Sequence, residues 1–525
     1  MHFTFAQERT VKLSIVPKYS ANVTQAQIDT ARALAANIRN EQPILNESEQ
    51  EFRHLIVDSP IDDSPALHLD DFSEIPLIGT SDSSDYLQQR ARLRAGDGDF
   101  VAFSRKVEGG YSDYCEHKLG LGQVNWIYPS DALSSTRDLA FVCLRDRRVR
   151  NELVQAIRHH GLRYIHPHIS TMSVWQLANS LHNSARLPIR VIGPTPALSA
   201  WANNKIDFTA AAERLLGPTA VPTTEAANNF AMLSKTIVQF AETHSRMGIK
   251  FPYGVGGTGN FLVDASQVRG LTLGATHDYL KRLLAGHRWP DSGRVLVDVW
   301  ESNVINSPSV QTWIPPASVG QPIIEGLFRQ SVHGETGAFV GSCPVNLPPE
   351  LEQEISDSSY LLTVLFQELG YVGRCSFDLI LIGESIENCR FEFVECNARW
   401  GGTSIPMTLV NRLNIGSDKT FSVQKANVPG LEKTTFPMMV RELGSELYDS
   451  ASGNGRFVLF NPARIKSHSG IEAIAIANTT QQAEELLSDV LTPRLAEMVD
   501  AVEQNSNATG PHFDSTKETE SFSQD

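Results

Sequence analysis

The sequence has little of what would mark a secreted, zinc-bound or membrane-spanning protein. Its six cysteines are scattered without a C-x-x-C pair, so it predicts neither a disulfide framework nor a zinc site. No run approaches the roughly 18 uninterrupted apolar residues that a membrane-spanning helix needs. The first twenty residues carry charges where a signal peptide has its apolar core. We therefore expect a cytoplasmic protein.

Positive charge is also in short supply. The 45 lysines and arginines stand against 60 acidic residues, which gives a formal net charge of −15. Nucleic acids and anionic lipid surfaces attract proteins through clustered positive charge, so we expect neither among the partners. A bound anion would need a local site. The sequence does not indicate an oligomeric state.

The N-terminal part alternates short apolar runs with helical patterns. The runs "DFVAFSR", "LAFVCL", "LRYIHPHI" and "PIRVIGP" are typical of strands, and "RNELVQAIRHHG" and "SVWQLANSLHN" of helices. An earlier segment, "TQAQIDTARALAANIRN", predicts a further helix. Strands alternating with helices favour a parallel sheet covered by helices on its faces. We expect an α/β unit here, in a chain whose 525 residues suggest about three units.

A second pattern begins near Asn203. It predicts a helix from about Lys205 to Gly217, and a long helix from just after Thr224 to Gly248. Two short strands, "IKFPY" and "FLVDA", follow around a glycine-rich loop. Later come a helix, "YLLTVLFQELG", and two strands, "RCSFDLILIG" and "RFEFVECNAR". A strand, "GIEAIAIAN", a helix, "TTQQAEELLSDVL", and a polar tail from about Gln504, predicted to be disordered, complete the chain.

The glycine-rich loop, "KFPYGVGGTGN", allows several interpretations. A dinucleotide fingerprint would have to open a helix, but "NFLVDASQV" alternates like a strand, and a Walker A loop would end in G-K-[ST]. What remains is a hairpin loop whose backbone N–H groups could surround phosphate oxygens, with Lys250 adding positive charge. An ordinary flexible hairpin fits the loop alone equally well.

A second hairpin carries carboxylates in "CSFDLILIGESIENCRFEFVECNARWGGTS". If the chain turns between 383 and 388, Asp378 pairs near Phe393. The period of two then places Asp378, Glu395, Asn397 and Arg399 on one face. Two carboxylates and an amide oxygen form an all-oxygen site that suits Mg²⁺. The alternative is the solvated face of an antiparallel hairpin, and a one-residue slip of the register would separate the four side chains.

Taken in order, these features resemble the ATP-grasp enzymes from about Asn203 to Leu413. The resemblance is carried by a lysine in "NNKIDF", a second lysine with its glycine loop, the strand "RVLVDVW" and the ending "VECNARWGGTS". More narrowly, "GDFVAFSRKVEGGYSDYCEHKLGL", "YIHPHIS", "NSPSVQTWIPP" and "FVLFNPARIKSHSGIEAIAIAN" resemble the pheganomycin-type peptide ligases.

The resemblance implies a fold of α/β and α+β units. Residues 1–203 would hold an N-terminal segment and a Rossmann-like pre-ATP-grasp α/β domain. Residues 204–413 would form the ATP-grasp domain, with a glycine flap at about 249–262. A small C-terminal α/β domain would occupy 414–503, followed by a disordered tail, 504–525.

The resemblance also implies residue roles. The nucleotide-binding residues would be Lys205, Lys250, the flap residues Gly256, Gly257 and Gly259, the adenine-strand residues Asp298, Val299 and Trp300, and Glu301 at the ribose. Mg²⁺, or Mn²⁺, would be held by Asp378, Glu395 and Asn397. Arg399 and Lys250 would be catalytic, with Arg399 facing the transferred phosphate. Arg329 and His333 are weaker candidates for a substrate contact, or ordinary residues of a surface loop.

The chemistry implied is the ligation of a small-molecule or peptide carboxylate to an amine. ATP would phosphorylate the carboxylate, and the amine would displace phosphate from the acyl phosphate. His166 and His168 are either a base for the amine or histidines packed at a strand end. A non-catalytic ATP-binding protein and a kinase that stops after phosphoryl transfer remain as alternatives.

Overall fold

The computed structural model describes residues 15–75, 84–130, 138–254, 259–287, 289, 293–333 and 338–508. Within these ranges the strands form a five-stranded, a four-stranded and a nine-stranded sheet. The predicted mixture of helices and sheets is confirmed. No helix among the described residues is both long enough and apolar enough to cross a membrane.

The N-terminal unit is built on a parallel sheet, as predicted. Its elements are α1 Gln25–Glu41, α2 Pro43–Phe52, β1 Ala66–Leu69, α3 Ala91–Arg94, β2 Phe100–Ala102, the single turn α4 Tyr111–Asp113, β3 Asn125–Ile127, α5 Leu139–Arg145, α6 Arg147–His159, β4 Tyr164–Pro167, α7 Met172–Ala185 and β5 Arg190–Val191. The strand order is β3-β2-β1-β4-β5, and all four pairings are parallel. The order reverses between β1 and β4, so the segments after these two strands lie side by side.

One predicted strand in this unit is wrong. "LAFVCL" lies in helix α5, whose first turn is capped by the Asp138 side chain accepting from the N–H of Phe141. A six-residue apolar run fits a buried helix and a buried strand equally well, so its periodicity could not separate them.

The middle of the chain contributes two antiparallel sheets. Its elements are α8 Pro196–Asn203, α9 Lys205–Leu216, β6 Thr224–Ala227, α10 Phe230–Thr243, β7 Arg246–Lys250, β8 Asn260–Asp264, α11 Leu273–Leu283, β9 Val295–Val299, β10 Val304–Asn306, β11 Pro308–Ile314, β12 Ile323–His333, β13 Ala338–Pro344, α12 Pro349–Glu368, β14 Gly373–Ser385, β15 Asn388–Asn397 and α13 Ser404–Leu413. The four-stranded sheet has the order β6-β9-β7-β8. The nine-stranded sheet starts with β10, β14, β11, β12 and β13, and β15 pairs with β14.

The single long helix predicted from just after Thr224 to Gly248 is also wrong. The segment folds as strand β6, helix α10 and strand β7. Helix α10 has its own N-cap, Asn229, whose side chain accepts from the N–H of Met232. Both flanking strands pair with β9, which lies some fifty residues beyond β7 and some seventy beyond β6, so local helical periodicity cannot reveal it.

Helix α9 brings its first residue to the edge of the nine-stranded sheet. Asn204 caps the helix by accepting from the N–H of Ile206, so the helix begins at Lys205, as predicted. Its apolar face is anchored by Phe208, whose ring stacks on that of Phe377 in β14 with centroids 5.8 Å apart. Gly217 ends the helix with a positive φ of 98°, which favours glycine as expected, although its ψ of 166° lies outside the left-handed helical region.

The C-terminal elements extend the nine-stranded sheet. They are β16 Thr420–Asn427, α14 Phe436–Leu443, β17 Phe457–Phe460, α15 Arg464–His468, β18 Gly470–Ala477, α16 Thr480–Glu485 and α17 Thr492–Ala508. Gly341 of β13 pairs with Gln424 of β16, and β18 and β17 follow in order. Residues 504–508, expected in the tail, are the last residues of α17, and 509–525 lie outside the described residues.

Candidate active site

Three oxygen-bearing side chains meet where β14 and β15 run together. A β-bulge between Asp378 and Leu379 places Asp378 opposite Glu395, whereas the predicted register placed it near Phe393. Asp378 accepts from Ser309 Oγ at 2.6 Å and from Asn397 Nδ2 at 2.9 Å. All three predicted metal ligands keep part of their surface exposed, so a ligand can reach them.

The two carboxylates titrate in opposite directions. Burial and the neighbouring Glu395 raise the pKa of Asp378 to about 7. Burial also disfavours ionisation of Glu395, but Lys205, Arg399 and Lys250 outweigh it and lower its pKa to about 2. A bound cation would relieve the repulsion between these two close carboxylates.

The ligand oxygens at this site suit Mg²⁺, which keeps several water ligands, better than a metal ion whose ligands all come from the protein. Among the described residues, no group of three or more His, Cys, Asp or Glu side chains could hold a metal ion by itself. Asp378 and Glu395 supply two carboxylates, and Asn397 supplies an amide oxygen. Mg²⁺ commonly binds through one or two carboxylates and completes its shell with water and substrate phosphates.

Two lysines from different parts of the fold converge on Glu395. Lys205, at the start of α9, places its Nζ 3.0 Å from Glu395 Oε2. Lys250, at the end of β7 in the four-stranded sheet, lies close enough to lower the pKa of the same carboxyl. Lys250 also forms an ion pair with Asp298 of β9. The site therefore lies where the end of β7, in the four-stranded sheet, approaches β15 of the nine-stranded sheet.

Arg399 is held by residues before α9 and in β15. Its guanidinium donates to Asn397 Oδ1 at 2.5 Å and to the side-chain oxygen of Asn203. Asn203 Oδ1 also accepts from the N–H of Ala398 at 3.1 Å, which fixes the chain just before Arg399. The role of Asn203 could not be predicted from the sequence, because a contact between residues 196 positions apart leaves no local pattern.

The predicted adenine strand is β9 with the residues that follow it. The N–H of Val299 donates to Thr223 O at 3.0 Å, and the N–H of Trp300 donates to Arg246 O at 3.1 Å. Because both N–H groups already donate to other residues, an adenine would have to contact the carbonyl oxygens of Val299 and Trp300. Glu301, the ribose candidate, pairs with Arg390 at 3.0 Å.

Gly248, in β7, has no side chain and so lets β9 and Trp300 pack closely against β7. A Cβ at Gly248 would stand 2.3 Å from Asp298 Oδ1 and 2.8 Å from the Trp300 ring. The Trp300 ring lies below Lys250, with Nζ 5.6 Å from the centroid. Asp298, Trp300 and Lys250 are thus packed as one group that leaves no room for a side chain at position 248.

The glycine flap is described only in part. Gly259 has φ +84° and its carbonyl oxygen accepts from the N–H of Phe251 at 2.9 Å, which closes the β7–β8 hairpin. Gly256 and Gly257 lie outside the described residues. The predicted role of the loop over phosphates therefore stays a prediction.

The structure does not bring Arg329 to the other candidates. Ser309 pairs with both Asp378 and Phe328, so Phe328 shares the face of Asp378 and the next residue, Arg329, points to the opposite face. There Arg329 forms an ion pair with Glu484 of α16. His333 is the last residue of β12, and its side chain lies outside the described part of the structure.

His166 and His168 are packed at the end of strand β4. Trp400 Nε1 donates to His166 Nε2 at 3.2 Å, and the N–H of Trp400 donates to His168 O at 3.0 Å. Burial and then Arg94 lower the pKa of both imidazoles well below the usual value, and Arg399 contributes at His168. Both histidines are therefore neutral at physiological pH and join the N-terminal sheet to the residues after β15.

Comparison with known proteins identifies one domain. The family model of the pre-ATP-grasp domain matches residues 88–182, which include β2 to β4 and most of α7. The predicted pre-ATP-grasp domain is confirmed over this range. No curated protein sequence matches the chain significantly.

Several solved structures resemble the chain at low identity. The biotin carboxylase domain of Hydrogenobacter thermophilus 2-oxoglutarate carboxylase, with MgADP, ADP and bicarbonate, has a TM-score of 0.48 and 12% identity, covering 83% of this chain and 94% of that one. N5-carboxyaminoimidazole synthetase from Staphylococcus aureus, with ADP, has a TM-score of 0.47 and 10% identity, covering 84% and 99%. Campylobacter jejuni biotin carboxylase has a TM-score of 0.48 and 12% identity, covering 85% and 97%. Similarities this weak do not assign a function.

Proposed function

We propose that the protein is an ATP-dependent carboxylate–amine ligase of the ATP-grasp type. The observation that carries the proposal is the convergence of Lys205, from helix α9, and Lys250, from strand β7, on Glu395 beside Asp378 and Asn397. Cations and oxygen ligands meeting in one place are what a nucleotide polyphosphate with its metal ion requires.

The lysines would bind the phosphates of ATP, and the oxygen-bearing side chains would bind its metal ion. Lys205 and Lys250 would contact phosphate oxygens, and Lys250 would exchange Asp298 for the nucleotide. Asp378, Glu395 and Asn397 would hold Mg²⁺, which neutralises charge on the phosphates. The main chain near Val299 would meet the adenine, and Glu301 would approach the ribose.

The reaction proceeds in two steps that need no protein nucleophile. An oxygen of the substrate carboxylate attacks the γ-phosphorus of ATP, the bond to the β–γ bridging oxygen breaks, and ADP leaves. The amine nitrogen then attacks the acyl carbon and the bond to the phosphate oxygen breaks. The amide forms, and the phosphate leaves as hydrogen phosphate with the proton that the nitrogen loses. Arg399 is placed to stabilise negative charge on the transferred group. Positioning of both substrates supplies much of the acceleration.

The test is release of ADP and phosphate from ATP and Mg²⁺ in the presence of paired amino acids and short peptides. A ligase releases phosphate only when an acid and an amine are both present, and mass spectrometry finds a product lighter by one water than their sum. A stable phosphorylated product would establish the kinase alternative. Binding of ATP without consumption in any mixture would favour the non-catalytic alternative over the ligase.

A further inference from the structure

A cluster of buried cations lies where the N-terminal and C-terminal parts of the chain meet. Arg90 precedes α3, Lys425 lies in β16 and Arg464 begins α15. Glu472 of β18 pairs with Lys425 across the strands and with Arg90 through Nε at 3.1 Å. We call Arg90, Lys425, Arg464 and Glu472 the junction cluster. Arg90, Arg464 and Glu472 are each at least nine-tenths buried.

The junction cluster has more positive than negative charge. Its three cations share one carboxylate, Glu472, which is engaged by Arg90. The buried Asp70, outside the cluster, also acts on Arg90, but it is paired with Arg94. Lys425 Nζ donates to the carbonyl oxygen of Phe339 at 3.0 Å, and Arg464 donates to Asn427 Oδ1 at 2.5 Å. Both of these partners are neutral. Within the described residues, Arg464 Nε is buried without a hydrogen-bond partner.

A surplus of buried positive charge is costly unless an anion joins it. Burial lowers the pKa of Lys425 to about 8; Glu472 opposes this fall, and Arg90 and Arg464 add to it. Arg464 also lies over the ring of Tyr86, at 5.5 Å, so its guanidinium is held in place before any ligand arrives. The cluster is therefore a preformed site for a negatively charged group.

The junction cluster and the candidate active site lie on the same face of the nine-stranded sheet. Residues paired across strands carry their side chains on one face. Asp378 pairs with Ser309, which in turn pairs with Phe328. Two residues further along β12, Gln330 pairs with Ser342, which pairs with Val423. Lys425 lies two residues beyond Val423, so it projects from the same face as Asp378. Four strand spacings across the sheet and four residues along the strands separate them, which together amount to about 23 Å.

The loop after Arg399 brings the two sites closer. A Cβ at Gly402 would stand 2.6 Å from the ring of Phe339, the residue whose carbonyl oxygen holds Lys425. The side chain of Lys425 and a phosphate bound at the candidate active site each shorten the distance between the two sites. Roughly 10–15 Å then remains for the substrate to span. An extended substrate can therefore reach the junction cluster from the place where its other end reacts.

We propose that the junction cluster binds a carboxylate of one substrate that is remote from the reacting groups and is not consumed. The inference rests on the proposed ligase reaction for the identity of the molecule bound, because every such reaction brings a carboxylate and an amine together. It assigns a recognition role to Lys425 and Arg464, and it makes one substrate an elongated acid with a second negative end.

A first experiment needs neither substrate nor turnover. The full-length protein is acetylated with limiting acetic anhydride near pH 7.5, in sodium chloride or in sodium glutarate of equal ionic strength, and each lysine is quantified by mass spectrometry. If a bound carboxylate raises the pKa of Lys425 by about one unit, its unprotonated fraction falls roughly eight-fold. Lys419, exposed just before β16, is the internal control. Glutarate is expected to slow acetylation at Lys425 and not at Lys419.

Arg464→Gln tests whether the protection belongs to the junction cluster. It should abolish protection by glutarate while leaving acetylation of Lys419 unchanged. Equal acetylation of wild-type Lys425 in both salts would overturn the proposal, and so would protection by inorganic phosphate alone. These outcomes are independent of whether ATP is consumed, so they separate failure of the subsite from failure of the proposed function.

A second experiment uses the substrates found by the product screen. Capping the remote carboxylate as an amide should raise KM at least ten-fold with little change in kcat. Lys425→Met should raise KM for the uncapped substrate and remove the difference between capped and uncapped forms, whereas Lys419→Met should behave like the wild type. A Lys425→Met enzyme that still discriminates against the capped form would exclude this role. Separate assays, in which the remote carboxylate of either the acid or the amine substrate is capped, show which substrate carries it.

Discussion

Lys250 and Asp298 form an ion pair between neighbouring strands of the four-stranded sheet, at the place where nucleotide phosphates are expected. Both side chains are buried, and Lys250 also lies close enough to Glu395 to lower the pKa of that carboxyl. Nucleotide binding would have to draw Lys250 away from Asp298. Breaking the pair would leave Asp298 buried without its cation, so the pair would oppose ATP binding at the proposed site.

Asp298→Asn should separate the effect of the pair on stability from its effect on ATP binding. Removing one partner of a buried ion pair is expected to lower the free energy of unfolding by about 3 kcal/mol. The same change leaves Lys250 available, so the Kd for ATP should fall several-fold. Urea unfolding and isothermal titration calorimetry measure the two quantities. Weaker ATP binding by a folded Asp298→Asn variant would mean that Asp298 supports the nucleotide site.

Glu395→Gln should abolish ADP release while leaving the fold intact. The substitution keeps the shape of the side chain but removes the charge that Lys205 and the proposed Mg²⁺ require. A loss of at least a hundred-fold in kcat is expected, on the order of 3 kcal/mol in the barrier. Glu384→Gln, at the exposed end of β14 in the same hairpin, is the matched control and should retain wild-type turnover. Normal ATP consumption by Glu395→Gln would remove this residue from the site.

Gly248→Ala should destabilise the protein although alanine is the smallest possible addition. The new Cβ would overlap Asp298 and Trp300, so one of them must move. Overpacking of this kind costs about 1–3 kcal/mol. We expect a lower melting temperature together with weaker ATP binding, because the displaced residues adjoin Lys250. Gly274→Ala is the control, since nothing lies within 4 Å of its added Cβ. Equal melting temperatures for the two variants would contradict the packing described.

Stability should fall as the pH is lowered from 6.5 toward 4. Burial lowers the pKa of His68 to about 4, although Asp99 opposes this, and burial lowers the pKa of His166 and His168 further. In this window the unfolded chain binds protons that the folded protein does not, so acid favours unfolding. Each such histidine contributes up to about 1.4 kcal/mol per pH unit.

Thermal melts across this range in wild type and His68→Gln measure the effect. The variant should be less stable near pH 7, because Asp99 loses its histidine partner, but its stability should depend less steeply on pH. Identical slopes would show that His68 does not contribute to the acid response.

The acidic hairpin could be predicted from sequence because alternation along two long strands is a local property. The bulge beside Asp378 could not, since it follows from how β14 meets its partner. For the same reason, the segment after Thr224 was predicted as one helix: only its pairing with β9 makes β6 a strand.

The surroundings of the candidate site depend on contacts between distant parts of the chain. Asn203 fixes Arg399 across 196 positions, and Trp400 reaches His166 across 234. No period or motif records such pairs. The types of residue in the site were thus accessible from sequence, whereas the residues that orient them were not.

The continuation of one sheet from β14 to β17 limits how this protein can be divided or recombined. A chain cut after Leu413 would lose β16 and leave the backbone of β13 as an unprotected edge, open to pairing with other molecules. Chimeras that exchange the last hundred residues as an independent module should therefore aggregate unless the donor supplies a strand of matching register beside Gly341.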